Sequence, residues 1–242
     1  LHPSDAARLG LKTGDLVQQL RTTRTDTYTI LARLIADAPK MKAALSTGDQ
    51  ATVQGGLNEY PNQLKSNLLL VTGRSGAVLA TVGASARTAS VVANQPSIRD
   101  ALAGRDSFSL LPQPDGVLQL VTVPIAIGPE IPGTLSVGFL LDDALAAQLK
   151  QITGSEIVFG MDGQVLATTL PRETFPALAA LLRRAERSPN VTLGSEEFAA
   201  LPLLLASGDS GAPGAGPIAL ILRSRTEMRR FLRSIQIGRA HV

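Results

Sequence analysis

Leu69-Leu70-Val71-Thr72-Gly73-Arg74-Ser75-Gly76-Ala77-Val78-Leu79-Ala80-Thr81 is an apolar run, a glycine turn and a second run ending Val-Leu-Ala-Thr. Ile157-Val158-Phe159-Gly160-Met161-Asp162-Gly163-Gln164-Val165-Leu166-Ala167-Thr168 repeats the same grammar. Aligning the last turn glycines gives an offset of 163 − 76 = 87, which carries Val78 onto Val165, Leu79 onto Leu166, Ala80 onto Ala167 and Thr81 onto Thr168. Such β-rich runs, joined through a glycine-bearing turn, read as antiparallel hairpins. The spacing is longer than a solenoid unit and points to a duplicated domain. The competing explanation is chance likeness between two hairpins built from common residues; the joint match of order, turn and tail favours duplication.

Composition bounds the rest. The 242 residues have room for one large or two ordinary domains, and the repeat favours two. At 44% hydrophobic and 18% charged residues the chain is globular. A formal charge of +3, no Trp and 3% aromatics give nucleic acid neither an electrostatic footprint nor a stacking platform. The absence of Cys removes disulfides, thiolate zinc sites and cysteine nucleophiles, and fits an oxidising compartment. The chain opens on Leu1 and no stretch has the apolar length of a membrane span, so the sequence reads as an excised fragment whose flanking segments were removed, with Gly238 to Val242 either native or appended.

Taken in order, Asp5 to about Leu45 reads as helix. Leu16, Leu20, Thr23, Thr27, Ile30 or Leu31, and Leu34 recur every three or four residues on one face. Unbroken to Ala38, that helix would be about 50 Å long, too long for one small domain. It would pack along two domains or pair with its copy. Pro39 marks a kink and Ser46-Thr47-Gly48-Asp49 a break. Gln50 to Leu64 reads as a second helix. After the first hairpin come a polar stretch from Ala84 to Asn94 and a short helix from Pro96 to Gly104. Strands are expected at Phe108 to Leu111, Val117 to Pro124 and Thr134 to Leu141, parted by Pro112 to Gly116 and Gly128 to Gly133. Asp142 or Asp143 caps a connecting helix through Gln151. The second hairpin then precedes an amphipathic helix from Thr174 to Arg187 and strands at Val191 to Leu193, Glu197 to Ala206 and Pro217 to Arg223. Ser224 with Glu227 forms a capping box that opens a last helix through Phe231 and Ile235.

The fold class is therefore α+β: a long N-terminal helix and two tandem PAS-like domains, each an antiparallel sheet flanked by helices. The expected boundaries are residues 1–48 for the signalling helix, 49–141 for the first domain, 142–224 for a smaller second domain and 225–242 for the exit helix.

This order resembles the double Cache sensory domains of bacterial transmembrane receptors. The likeness rests on Leu31-Ala32-Arg33-Leu34-Ile35-Ala36-Asp37-Ala38-Pro39 before Ala43-Ala44-Leu45, and on the Val71 to Val82 hairpin. It also rests on Gly138-Phe139-Leu140-Leu141-Asp142-Asp143-Ala144-Leu145 leading into Thr153-Gly154-Ser155-Glu156-Ile157-Val158. It covers almost the whole chain and is similar to the segment ahead of histidine kinases, cyclases and chemoreceptors. The resemblance implies a periplasmic module of an inner-membrane receptor, a small-molecule ligand in the membrane-distal domain, and a cytoplasmic output domain reached through flanking membrane spans. A homodimer is open. The aromatic and arginine pattern with which the amino-acid-binding branch grips an α-amino acid is not found, which puts amino acids in question as ligand.

Ser207-Gly208-Asp209-Ser210-Gly211-Ala212-Pro213 looks like the nucleophile segment of chymotrypsin-like proteases. That chemistry needs an imidazole, and the only histidines are His2 and His241, so no catalytic residue is assigned. Gly208 to Gly216 reads instead as a Gly, Ser and Pro loop joining two edge strands. Asp142 with Asp143, and Glu196 with Glu197, are adjacent pairs whose side chains diverge, better suited to a cap and a solvated turn than to acid–base work. No spaced His or acidic cluster suggests a metal, and no cofactor is implied. Arg74, Arg87, Arg99 and Arg105 surround the first hairpin and the segment covering its sheet, where in a PAS-like fold a bidentate arginine suits a small carboxylate. Gln119 and Ser136 are polar positions in apolar strands and need partners. The candidate ligand set is Arg87, Arg99, Gln119 and Ser136. Arg223, Arg225, Arg229, Arg230 and Arg233 read as the solvated face of the exit helix rather than as a membrane-surface helix.

Overall fold

The computed structural model describes residues 26–60, 66–185, 188–205 and 216–225. The helix expected upstream of residue 26, the loop expected around Ser210, both histidines and the exit helix expected beyond Arg225 lie outside these. The chain divides into two compact units, one within 19–111 and 118–140, the other from 112–117 and 141 onward.

In the first unit, helix α1 (26–36) ends at a turn on Asp37. Ala38 is extended, as the residue before a proline prefers, and Pro39 opens α2 (Pro39–Thr47), which Gly48 closes in the left-handed conformation. The expected kink at Pro39 is thus a complete break between helices. Asp49 caps α3 (Gln50–Leu57) by accepting from Thr52 N. The Thr52 hydroxyl, which also donates to this carboxylate, and then the Thr52 N–H hold the Asp49 carboxyl below its ordinary value of 3.8.

Strands β1 (Leu68–Gly73) and β2 (Val78–Val82) form the first hairpin. Helices α4 (Ala86–Ala93) and α5 (Pro96–Leu102) follow, then β3 (Ser107–Gln113), β4 (Gly116–Ile127) and β5 (Glu130–Leu141). The stretch expected to be merely polar, Ala84 to Asn94, is the helix α4: Ser85 caps it through Thr88 N, and Ala89 and Val92, three residues apart, are its buried face. The sheet order is β2-β1-β5-β4-β3.

The second unit holds α6 (Asp143–Thr153), the hairpin β6 (Glu156–Met161) and β7 (Gln164–Thr168), α7 (Phe175–Arg184), β8 (Ser188–Leu193), β9 (Glu196–Leu204) and β10 (Ile218–Ser224). Its sheet order, β7-β6-β10-β9-β8, has the same topology. Each unit is an antiparallel five-stranded sheet flanked by helices, and the whole is α+β.

The duplication extends to an irregularity. In the first hairpin Val71 pairs with Ala80 and Thr72 with Val78, skipping Leu79. In the second, Phe159 pairs with Ala167 and Gly160 with Val165, skipping Leu166. Both β2 and β7 therefore carry a bulge at the same place. The returning strands keep the offset of 167 − 80 = 87, whereas the leading strands differ by 159 − 71 = 88. The turn absorbs the difference. Asp162 and Gly163, at φ 52° and 79°, make the tight two-residue turn of the second hairpin. The first hairpin has one residue more, with Gly73 N donating to Ala77 O.

The sheet of the first unit is buried on both faces. On one, Leu69, Val71, Val121, Val123, Leu135 and Val137 pack with Ala32, Met41 and Leu57 from α1 to α3, and the rings of Tyr28 and Phe139 stack. On the other, Leu68, Leu70, Leu118 and Leu120 pack with Ala89 and Val92 of α4. Full burial of each leucine contributes about 1.5–3 kcal/mol.

Candidate functional site

Strand alternation assigns a chemistry to the face beneath α4 and α5. Leu68 and Leu70 face α4, and two residues on lies Thr72; Leu118 and Leu120 are likewise followed by Thr122. On β5, Thr134 stands opposite Thr72 and Ser136 opposite Leu70. The Thr72 and Thr134 hydroxyls lie 2.7 Å apart, and those of Thr122 and Ser136 2.9 Å apart. All four residues are 0% exposed. Ser97 of α5, also buried, receives a long 3.5 Å hydrogen bond from Ser109 of β3. Three central strands thus present a row of hydroxyls inside an otherwise leucine-lined face. A hydroxyl in each pair donates to the other and keeps lone pairs beyond that contact, so the row is a buried polar surface under the helical cover.

The structure does not bring the four expected residues together. Ser136 lies in the row. Gln119 is buried at 5% exposure but alternates with Val121 and Val123, so it belongs to the opposite face, toward α1 to α3. Arg87 on α4 and Arg99 on α5 are exposed. Arg74 and Arg105 pair at the surface with Glu130 and Asp100. The residues that sequence reading passed over are Thr72, Thr122 and Thr134; the signal was a small polar residue at every second position of apolar strands.

The second unit treats the matched face differently. Gly160 corresponds to Thr72, and its cross-strand neighbour is Ile218; Val158 faces Leu220 where the first unit sets Leu70 against Ser136. A Cβ at Gly160 would stand 2.4 Å from Leu182 Cδ1 and 2.5 Å from Gln164 O, so only glycine lets α7 sit down there. Leu178 and Leu182 complete an apolar cluster with Val158, Ile218, Leu220 and Phe198. One face is sealed by leucines; the other carries hydroxyls. Among the described residues no group of His, Cys, Asp or Glu forms a metal site.

A profile of the double sensory domain of two-component sensor kinases matches residues 12–192. The chain belongs to this family of double sensory domains. No curated protein sequence matches it. Among solved structures, the periplasmic domain of Vibrio cholerae LuxQ is similar over 88% of this chain and 98% of its own, with a TM-score of 0.59 and 16% identity. The ligand-binding domain of the Pseudomonas fluorescens chemoreceptor CtaA, in complex with L-isoleucine, is similar over 94% and 96%, with a TM-score of 0.55 and 12% identity. The same domain in complex with L-serine gives 86% and 91%, 0.51 and 14%. These likenesses show the shared fold. No helix among the described residues of this double sensory domain is long and apolar enough to cross a membrane.

Both halves of the double sensory domain tie the edge strand of the hairpin to the preceding helix at matched threonines. Thr81 N donates to Gln54 Oε1 at 3.0 Å, and Gln54 Nε2 donates to Thr81 O at 3.0 Å. The amide of α3 thereby pairs with the edge of β2 as another strand would. In the second unit, Thr168 N donates to Asp143 Oδ1 of α6 at 2.7 Å. Each of the two helices is thus hydrogen-bonded directly to the edge of a hairpin.

Proposed function

We propose that this double sensory domain is the extracytoplasmic input of an inner-membrane signal-transduction receptor and that its first unit takes a small polar molecule beneath α4 and α5. The observation that carries the reading is the contrast at matched positions: Thr72, Thr134 and Ser136 where the second unit has Gly160, Ile218 and Leu220. Polar groups buried where hydrophobic packing is available reduce stability unless their hydrogen bonding is used. Binding would lift the helical cover, place ligand polar atoms on the hydroxyl row, and leave a carboxylate end of the ligand to Arg87 and Arg99. The cover connects to β2, and β2 to α3 through Gln54, so occupancy would bias the N-terminal helices between two arrangements. The ligand shifts that balance only by the difference in its affinity for them. A cytoplasmic output domain on the same chain would read the shift, and a homodimer would suit such a readout. Catalysis through Ser210 has no place in this reading.

Thermal denaturation against a panel of carboxylates, amino acids, amines and purines tests it, because a ligand of the folded state raises Tm. The expected result is a hit that Thr134→Val and Ser136→Ala each weaken about tenfold, the loss of one hydrogen bond to a buried polar group, while Gln119→Ala leaves it unchanged. A hit indifferent to both hydroxyl changes would sink the site.

A second reading draws on the pairing of the hydroxyls with one another and their complete burial. In it the first unit is a closed interaction module that receives its signal from another protein. Silence across the panel, with the fold intact, would favour it.

A further inference from the structure

The second unit holds a cleft of about 600 Å3 at the end of its sheet that α7 leaves uncovered. That volume lies within the range of small-molecule pockets. Its wall combines Ala147 and the edge of Phe198 with the carboxylates of Asp143, Glu156 and Glu196, and among the described residues its one cationic side chain is Lys150. Glu156 is the least exposed of the charged partners: its side chain is 18% exposed and Lys150 Nζ lies 2.7 Å away, at the end of a stem that is 47% exposed. The Thr169 hydroxyl donates to the other Glu156 oxygen. A carboxylate withdrawn from water needs such partners.

We propose that this cleft binds a compact organic cation, an alkylammonium or short diamine, with Glu156 as its anchor. Lys150 is a flexible ammonium on four methylenes in the last turn of α6, and it occupies the position that a free amine would take. An incoming ammonium displaces it into solvent and gains the Glu156 carboxylate. The alkyl chain lies against Ala147 and the exposed edge of Phe198, and a second ammonium meets Glu196 or Asp143. The net excess of carboxylates favours cations over anions and makes binding sensitive to ionic strength. The site is separate from the hydroxyl-bearing face of the first unit and does not depend on it.

Titration calorimetry and thermal shift of the whole chain with putrescine, butylamine and butyrate test the assignment. Putrescine should bind and raise Tm, butylamine more weakly, and butyrate not at all. Glu156→Gln keeps the shape and the Thr169 contact, and should weaken putrescine about tenfold, as loss of a charge-assisted bond does. Glu196→Gln, at an exposed position, should weaken putrescine more than butylamine. Lys150→Gln should tighten both amines severalfold, because the internal competitor is gone. Ser136→Ala in the first unit should leave amine binding unchanged, so that this site and the first-unit site fail separately. The proposal is overturned by amine binding indifferent to both glutamate changes, by butyrate binding that Lys150→Gln abolishes, or by silence toward amines in both the native chain and Lys150→Gln.

Discussion

Thr81 and Thr168 occupy one place in two copies of a hairpin, and their surroundings differ. Each offers its backbone N–H to a side chain of the preceding helix, a neutral amide from Gln54 in the first unit and a carboxylate from Asp143 in the second. The hydroxyls part company. Thr168 Oγ1 donates to Ile157 O at 3.1 Å and accepts from Leu170 N at 3.1 Å. Thr81 Oγ1 is buried with no hydrogen-bond partner among the described residues. At this position the second unit spends its hydroxyl on holding the hairpin together, and the first leaves it unused. Unused polar groups cost stability and so are expected where structure must rearrange or receive something.

The contrast breaks most visibly at positions 72 and 160. Gly160→Ala should cost about 2–3 kcal/mol in urea denaturation, since the new methyl meets Leu182 and backbone that can retreat only by shifting α7. Thr72→Ala should cost about 1 kcal/mol, leaving Thr134 without its hydroxyl neighbour. Equal costs would mean that the two faces are packed alike. Next come the threonines. Thr168→Val should lose about 1–2 kcal/mol, whereas Thr81→Val, which removes an unsatisfied hydroxyl at constant shape, should be neutral or stabilise by about 0.5 kcal/mol. Native-state hydrogen exchange at β2 and β7 sharpens the same pair: Gln54→Ala should raise exchange at Thr81 and leave Thr168 protected.

The smallest effect concerns acid. The lowered pKa of Asp49 means that its carboxylate contributes to stability above its unfolded value and loses that contribution as pH falls through the folded value, below 3.8. Because Asp49 caps α3, which carries Gln54, the loss should appear as faster exchange at β2 in acid. Asp49→Asn keeps a capping side chain and should flatten that pH dependence.

The sequence made the duplication legible because Val78 to Thr81 and Val165 to Thr168 preserve both side-chain pattern and bulge. It concealed α4, since Ser85-Ala86-Arg87-Thr88 reads as polar loop and only Ala89 and Val92 carry the helical spacing. The first unit's strands run longer than their apolar cores: Pro112 sits in β3, an edge strand that tolerates a missing N–H. At the candidate site, Ser136 was readable as a polar residue in an apolar strand. Gln119 showed the same mark, and parity against Val121 was needed to see that it faces elsewhere. The exposure of Arg87 and Arg99 could not be read from residue type, because it depends on how α4 and α5 roll on the sheet.

The single residue by which the hairpin turns differ bears on how these copies could diverge. An insertion of one within a strand would have turned every following side chain to the other face, exchanging leucines for hydroxyls along the whole ladder. Placed between Gly73 and Ala77 it changes nothing downstream, and both sheets keep their inside and outside. The turn thus works as a frame-shift buffer. Length variation among descendants of this duplication should gather at that turn, where a double sensory domain can gain or lose residues without exchanging the faces of its sheet.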